Sequence, residues 1–261
     1  MQSSNPAFRN LQQAPGAQQG AAPSAAYLQQ MYAQPSVGAP TRERFLTLDG
    51  VVAKTATVLG VGVLAAVLTI SLSSTWVLAL PALVVGLVLA MVIIFKRSSN
   101  PALILSYAVA EGVLLGAITG AFESIPQYQG IGLQALVGTL GVFAGMLVVY
   151  KTGAIRVTPK FTKMLVGAMI GVLVLLVFNL IASAFGMQTG IRDGGTMSII
   201  ISLVIIVIAA LSFLLDFDQI DRAIKVGAPA SSAWYFAFGL MVTMVWLYLE
   251  ILRLLGYLRN N

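Results

Sequence analysis

The stretch WVLALPALVVGLVLAMVIIF, residues 76–95, decides the fold, because it runs for twenty residues without a charged side chain. An α-helix of that length crosses the hydrocarbon core of a bilayer, which requires about 20 apolar residues. The whole chain has the same character, since 58% of its 261 residues are hydrophobic and only 9% are charged. A soluble domain would carry about a quarter charged residues, so the composition predicts a membrane-embedded protein.

Seven such apolar spans follow residue 50 and predict an all-α, multi-pass membrane protein. Most are rich in Val, Leu, Ile, Ala and Gly on every side, whereas the strands of a membrane β-barrel would be half as long and would alternate polar with apolar residues. Glycines four apart, in GVLLGAITG, GVFAG and GAMIG, predict close packing of helices within the chain. The predicted spans cover residues 52–71, 76–95, 101–122, 131–150, 163–186, 196–216 and 234–257.

The N-terminal region differs in composition from everything after it. Residues 1–45 are predicted to be a disordered Gln/Pro/Ala-rich cytoplasmic tail, and residues 46–261 the seven-helix domain. Residues 1–40 contain five of the ten prolines and eight glutamines, and so few large aliphatic side chains cannot offset the entropy that ordering would cost. The tail lacks the basic-then-apolar pattern of a signal peptide, so the first span is expected to remain as a membrane anchor.

Basic residues mark alternate connections and predict the orientation of the chain. They flank the first span on its N-terminal side and recur in the second-to-third, fourth-to-fifth and sixth-to-seventh connections. The other connections are almost uncharged: SLSST has no charge, ESIPQYQG has only Glu123, and in the last Arg192 is offset by Asp193. The N-terminus is therefore predicted to be cytoplasmic and the C-terminus to lie on the opposite side. A re-entrant span would change that count, and Arg259 keeps this alternative open.

The residue types that are missing exclude several functions. The chain has no histidine and no cysteine, so it has no Cys–His metal site, no thiol nucleophile and no Ser-His-Asp triad. Neither enzyme activity nor a cofactor is predicted. The net charge of +6 comes from basic residues beside the apolar spans, so it is attributed to topology and no nucleic-acid partner is expected. A proton switch would have to use carboxylates, because no imidazole is available.

Acidic side chains inside the apolar spans are the candidate functional residues, because a carboxylate in a membrane is costly and usually has a role. Glu111 lies midway along the third span in AVAEGVLLG, and Glu250 lies well inside the seventh in LYLEILRLL. Asp216 ends the sixth span and opens the run LLDFDQIDR, which also contains Asp218 and Asp221.

Each acid also has a purely structural explanation. Glu250 could form an i,i+3 bridge with Arg253. Glu111 could be protonated and bonded to Tyr107 or to a backbone carbonyl, and Asp221 could belong to a solvated cytoplasmic rim. The functional alternative is a set of oxygen ligands that converge in the bundle, because hard cations such as Ca²⁺ prefer carboxylates and carbonyls. Two close carboxylates would also tend to share a proton and so form a pH switch.

Four motifs in order, together with the seven spans, resemble the Bax inhibitor-1 family, and specifically its bacterial branch. The motifs are SNPALILSYAVAEGVLLGAITGAFE, YKTGAIRVTPKFTKM, LLDFDQI and WLYLEILRLLGYLR. The resemblance covers nearly everything after residue 50. It implies two three-helix groups around a central C-terminal helix, a location in the bacterial inner membrane, and a pH-sensitive leak with Ca²⁺ as the transported ion.

The resemblance also implies a pair of intramembrane acids that senses pH and gates the ion. Asp216 matches the family's aspartate near the end of the sixth helix, and Glu250 matches the acid in the LYLD stretch of the seventh. Both are predicted to sense pH and are candidate Ca²⁺ contacts, and the secondary candidates are Glu111, Asp218 and Arg253. The two acids are 34 residues apart, and at a rise of 1.5 Å per residue the stretch from Ala233 to Glu250 would place Glu250 about 25 Å along its helix. If the seventh helix starts at the inner surface, Glu250 is then too far outward to touch Asp216 unless one helix is displaced. Asp218 or Glu111 could supply the partner instead.

Two other functions stay open at this point. The first is a non-conducting membrane regulator that binds a membrane protease or a stress-response partner through residues 1–45. It predicts that deletion of the tail abolishes activity, whereas substitution of the acids has little effect. The second is a secondary transporter, since intramembrane acids also serve proton coupling.

Overall fold

The protein contains seven long α-helices in the part of the chain that the computed structural model describes, residues 45–71, 76–187, 189–192 and 194–260. The predicted disordered tail lies outside these residues except at its end, Phe45. All seven helices are long and apolar enough to cross a membrane, so the prediction of a multi-pass helical protein is confirmed. The helices are α1 (Leu48–Ile70), α2 (Trp76–Lys96), α3 (Pro101–Glu123), α4 (Ile131–Thr152), α5 (Pro159–Ala184), α6 (Thr196–Lys225) and α7 (Ser232–Asn260), and a 3-10 turn (Pro126–Tyr128) precedes α4.

Side-chain caps and prolines fix where α3 and α5 begin. The side chain of Asn100 accepts a hydrogen bond from Ala102 N at 2.9 Å, and Pro101 occupies the first helical position, where a missing N–H costs nothing. Thr158 caps α5 in the same way, and Pro159 follows it. Both caps come directly after a short connection, so the chain turns sharply at each point and starts the next crossing.

The sixth helix is longer than the apolar span that predicted it. The span ends at residue 216, whereas α6 continues to Lys225. Two i,i+4 ion pairs lie on the additional turns, Arg222 with Asp218 at 2.7 Å and Lys225 with Asp221 at 2.5 Å. Asp221 therefore lies on a solvated rim, which agrees with the structural explanation given for it above. The additional turns of α6 carry charged residues beyond its apolar part.

The C-terminal helix lies at the centre of the bundle. In one three-helix group α3 packs against α1 and α2, and in the other α6 packs against α4 and α5. α7 packs against α1, α3, α4 and α6. Of an 18-residue apolar stretch of α7, 56% of the residues are buried inside the bundle, compared with 11% of the equivalent stretch of α5. The predicted arrangement of two three-helix groups around a central C-terminal helix is confirmed.

Consecutive helices run between two ends of the bundle, here named the N-terminal face and the C-terminal face. The N-terminal face carries the start of α1 and the α6–α7 connection, which meet where Leu46 N donates to Ala228 O at 2.7 Å. The C-terminal face carries the end of α7 and the α3–α4 connection, which meet where Arg259 donates to Gln127 O at 3.1 Å. α7 therefore runs the whole length of the bundle, from the N-terminal face to the C-terminal face.

Two glycines let the backbones of α1 and α3 touch. A Cβ atom on Gly112 would lie 2.3 Å from the carbonyl oxygen of Gly62, and one on Gly116 would lie 2.5 Å from that of Ala66. The predicted packing role of glycines within the chain is thus confirmed for α3. It does not hold for α4 and α5, where a Cβ would meet no described atom within 4 Å at Gly141, Gly145, Gly167 or Gly171.

Candidate functional site

Asp216 lies in the interface between α6 and the central helix. The Thr243 hydroxyl on α7 donates to Asp216 Oδ2 at 2.8 Å, and Thr243 itself is buried. The neighbouring Phe213 and Phe217 on α6 are buried in the core. In the described part of the chain no basic nitrogen lies within 4 Å of this carboxylate. Asp216 therefore sits among neutral groups, where its negative charge is costly and sensitive to any water or cation that enters.

Glu250 is more deeply buried and lies between two arginines. Its Oε1 accepts from Arg192 Nη2 at 2.8 Å and from Arg253 Nη1 at 2.9 Å. Its Oε2 is buried and makes no hydrogen bond to any described residue, although the side chain of Ser202 on α6 faces the same carboxylate. The i,i+3 bridge with Arg253, proposed as the structural explanation for Glu250, is present. One carboxylate oxygen thus holds both guanidinium groups.

Arg192 is the residue that the sequence reasoning missed. The sequence alone presents it as a connection charge that Asp193 offsets, and Asp193 lies outside the described residues. In the structure Arg192 comes from the α5–α6 connection and reaches a helix 58 positions further along the chain. Tyr257 on α7 also donates to its carbonyl oxygen at 3.1 Å. The one available signal was the isolation of Arg192 in a nearly uncharged connection, directly before the sixth span.

The structure does not bring Asp216 and Glu250 together. Asp216 faces Thr243, which lies seven residues before Glu250 on the same helix, a rise of about 10 Å. The predicted pair is therefore corrected to two separate sites, Asp216 toward the N-terminal face and Glu250 toward the C-terminal face. The physical reason is the length of the two helices, because α6 continues nine residues past Asp216 before α7 begins at Ser232.

The secondary candidates take no part in either site, apart from Arg253. Glu111 faces α2, since its Oε1 would lie 3.2 Å from a Cβ on Gly86. Tyr107, one turn earlier on α3, interacts with the same carboxylate, which agrees with the structural explanation for Glu111. Asp218 pairs with Arg222. Neither Glu111 nor Asp218 supplies the missing partner of Asp216.

The two sites differ in what they offer a cation. Among the described residues no group of three or more His, Cys, Asp or Glu side chains could hold a metal ion. Two arginines already neutralise Glu250, so a divalent cation there would be repelled while they stay in place. Asp216 offers a carboxylate with a neutral hydroxyl beside it, which suits brief contact with a passing hard cation rather than tight binding.

These features define the class: a seven-helix, multi-pass membrane protein with two separate carboxylates in its interior, Asp216 on α6 facing the central helix and Glu250 on the central helix itself. A family model described as Bax inhibitor 1 like matches residues 5–260. The protein therefore belongs to the Bax inhibitor 1 like family. The match begins well before residue 50, where the resemblance was expected to begin, and so includes most of the N-terminal tail. A search of curated proteins found no match.

Proposed function

We propose that the protein is a pH-sensitive cation leak in a bacterial inner membrane, with Ca²⁺ as the transported ion and Asp216 as its proton-sensing group. The observation that supports this most directly is the hydrogen bond from Thr243 to Asp216 between α6 and the central helix. A charged Asp216 attracts a cation and water into this interface, whereas a protonated Asp216 packs as a neutral group. The interface therefore responds to pH. No catalytic reaction and no resident cofactor are assigned.

Glu250 has a different part in this proposal. It holds the α5–α6 connection against the central helix through Arg192, with Arg253 on the same oxygen. Replacement of Glu250 by glutamine would remove the charge that binds both arginines and would release the connection at every pH. Glu250 thus contributes to gating at the C-terminal face by holding that connection in place, and the contact with the cation is made at Asp216.

The proposal is tested by Ca²⁺ entry into proteoliposomes over a pH series. Wild type is expected to give a flux that changes with pH. Asp216→Asn, which cannot be charged, is expected to give a flux that no longer changes with pH. Thr243→Val should shift the pH of half-maximal flux, because it removes the hydrogen bond to the carboxylate, whereas Thr243→Ser should leave it unchanged. Glu250→Gln should change the size of the flux while a pH response remains.

Asp221→Asn is the matched control, because it makes the same acid-to-amide change on the same helix in an exposed ion pair. It is expected to behave as wild type. A flux whose pH dependence survives Asp216→Asn would remove Asp216 as the sensor. Absence of flux from folded wild type at every pH would reject the leak itself.

The orientation is part of the proposal, with the N-terminal face in the cytoplasm, and the absence of native cysteine makes it easy to test. Phe185 at the C-terminal face and Val226 at the N-terminal face are 79% and 81% exposed, so each tolerates a single cysteine. In spheroplasts a membrane-impermeant maleimide should label Phe185→Cys, and should label Val226→Cys only after lysis. The reverse pattern would place the N-terminus outside.

One observation favours a second function, a non-conducting regulator that binds a membrane protein through residues 1–45. The family match includes residues 5–44, so this tail belongs to the part of the chain that the family shares. A regulator of this kind would lose its effect on its partner when residues 1–44 are deleted, and would keep it after Asp216→Asn. The flux assay separates the two functions, because only the leak conducts in the absence of a partner.

A further inference from the structure

A groove runs along the side of the bundle between α1 and α4. Both helices pack against α7, and residues of both line the two sides of the groove. The groove has a volume of about 750 Å³, and α3 and α7 form its floor. Its rims carry Leu64 on α1 and Leu133 on α4, which are 64% and 66% exposed. The groove therefore opens sideways, toward the lipid that surrounds the bundle.

The groove has the length of one lipid acyl chain. Its α1 wall runs from Leu59 to Ile70, a helical rise of about 16 Å. One leaflet contributes half of a hydrocarbon core that is about 30 Å thick, which is about 15 Å. The walls are apolar along this length, and the flexible side chains of Met241 and Met244 line the floor. An apolar groove of this kind excludes water and favours a hydrocarbon occupant.

Polar groups lie at the end of the groove nearest the C-terminal face. Thr119 Oγ1 and Tyr248 Oη form a hydrogen bond of 2.7 Å, and Glu123 Oε1 accepts from Gly132 N at 3.2 Å. Glu123 is the last residue of α3, so its carboxylate lies where a lipid headgroup meets the hydrocarbon. Among the described residues that line the groove, Glu123 alone is charged.

We propose that this groove binds one phospholipid with a primary ammonium headgroup, an ethanolamine phospholipid. Its acyl chain lies between α1 and α4, and its ammonium group contacts Glu123. The apolar walls bind the acyl chain of the lipid, and the single carboxylate at the rim favours a cationic headgroup by charge complementarity. A glycerol headgroup offers no cation to Glu123 and leaves the lipid with its full negative charge beside it. This site is separate from Asp216 and does not depend on ion conduction.

The test uses the full chain in vesicles that contain equal amounts of ethanolamine and glycerol phospholipids with identical acyl chains. Native mass spectrometry after mild extraction counts the lipids that stay bound. Wild type is expected to retain one ethanolamine lipid with a preference of about fivefold over the glycerol lipid, the ratio that a partly exposed ion pair supplies. Equal retention of the two lipids, or retention of neither, would overturn the proposal.

Two substitutions separate the head contact from the chain contact. Glu123→Gln keeps an acceptor for Gly132 N but loses the charge, so it should retain lipid with the fivefold preference removed. Leu136→Trp fills the groove and should reduce retention of both lipids at least tenfold, whereas Leu173→Trp on the exposed face of α5 is the matched control and should retain lipid as wild type does. An unchanged preference in Glu123→Gln would reject the site even if Leu136→Trp does not fold.

Discussion

Gly112→Ala is expected to lower the free energy of unfolding by about 3 kcal/mol, the upper end of the range for overpacking a well-packed contact. The added methyl group would lie 2.3 Å from the carbonyl oxygen of Gly62. That oxygen belongs to a helical backbone and cannot rotate away, so α1 and α3 must separate. Gly116→Ala meets the carbonyl oxygen of Ala66 at 2.5 Å and should behave similarly. Thermal unfolding in one detergent, followed by circular dichroism, measures the loss.

The chain supplies its own control for this prediction. Gly167→Ala and Gly171→Ala add the same methyl group to a glycine ridge on α5, where it meets no described atom within 4 Å. Alanine favours a helix by up to about 1 kcal/mol over glycine, so these variants should be as stable as wild type or slightly more stable. If all four variants lost stability to the same degree, close approach of α1 and α3 would not be the cause.

Replacing both arginines that hold Glu250 is expected to cost more than the sum of the two single replacements. Both donate to Oε1, so Arg192→Gln or Arg253→Gln alone leaves the carboxylate with one cationic partner. Each single change should cost about 1 kcal/mol, because the guanidinium groups are partly exposed. The double variant leaves a buried carboxylate without a cation, which costs about 3–5 kcal/mol.

A double-mutant cycle in equilibrium unfolding measures this excess. Arg222→Gln is the matched control, because it breaks an Arg–carboxylate pair whose side chains are 66% and 21% exposed. It should have little effect and should add simply to either arginine variant. Strict additivity of Arg192→Gln and Arg253→Gln would mean that Glu250 does not depend on them together and finds another partner.

Hydropathy was sufficient to predict the seven crossings, because each helix needs only length and apolar side chains to span a bilayer. It was not sufficient to predict where α6 ends. The residues after Asp216 include two acidic and two basic side chains, which lowers the hydropathy, yet their i,i+4 ion pairs keep the helix intact to Lys225. The packing role of the glycines was predictable only in part. Their four-residue spacing is the same in α3 and in α5, but only the tertiary structure shows that the glycines of α3 contact another helix and those of α5 do not.

The sequence was sufficient to predict the individual acidic residues of the candidate site, but not which residues contact them. Burial in an apolar span identified Asp216 and Glu250 as unusual, and the helical rise already indicated that they lie too far apart to touch. The residues that face them could not be predicted. Thr243 is an ordinary side chain in a helix, and Arg192 reaches Glu250 across 58 positions of sequence. Such contacts depend on how helices rotate and tilt, which composition does not specify.

The central position of α7 has a consequence for biosynthesis. The helices that it packs against, α1, α3, α4 and α6, all precede it in the chain and are synthesised before it. Until α7 arrives, core residues that share a cluster with it, such as Ala209 on α6 and Ile104 on α3, lack part of their packing. Completion of the bundle is therefore a late event in synthesis, and a chain that stops before residue 232 lacks the helix that packs against both three-helix groups.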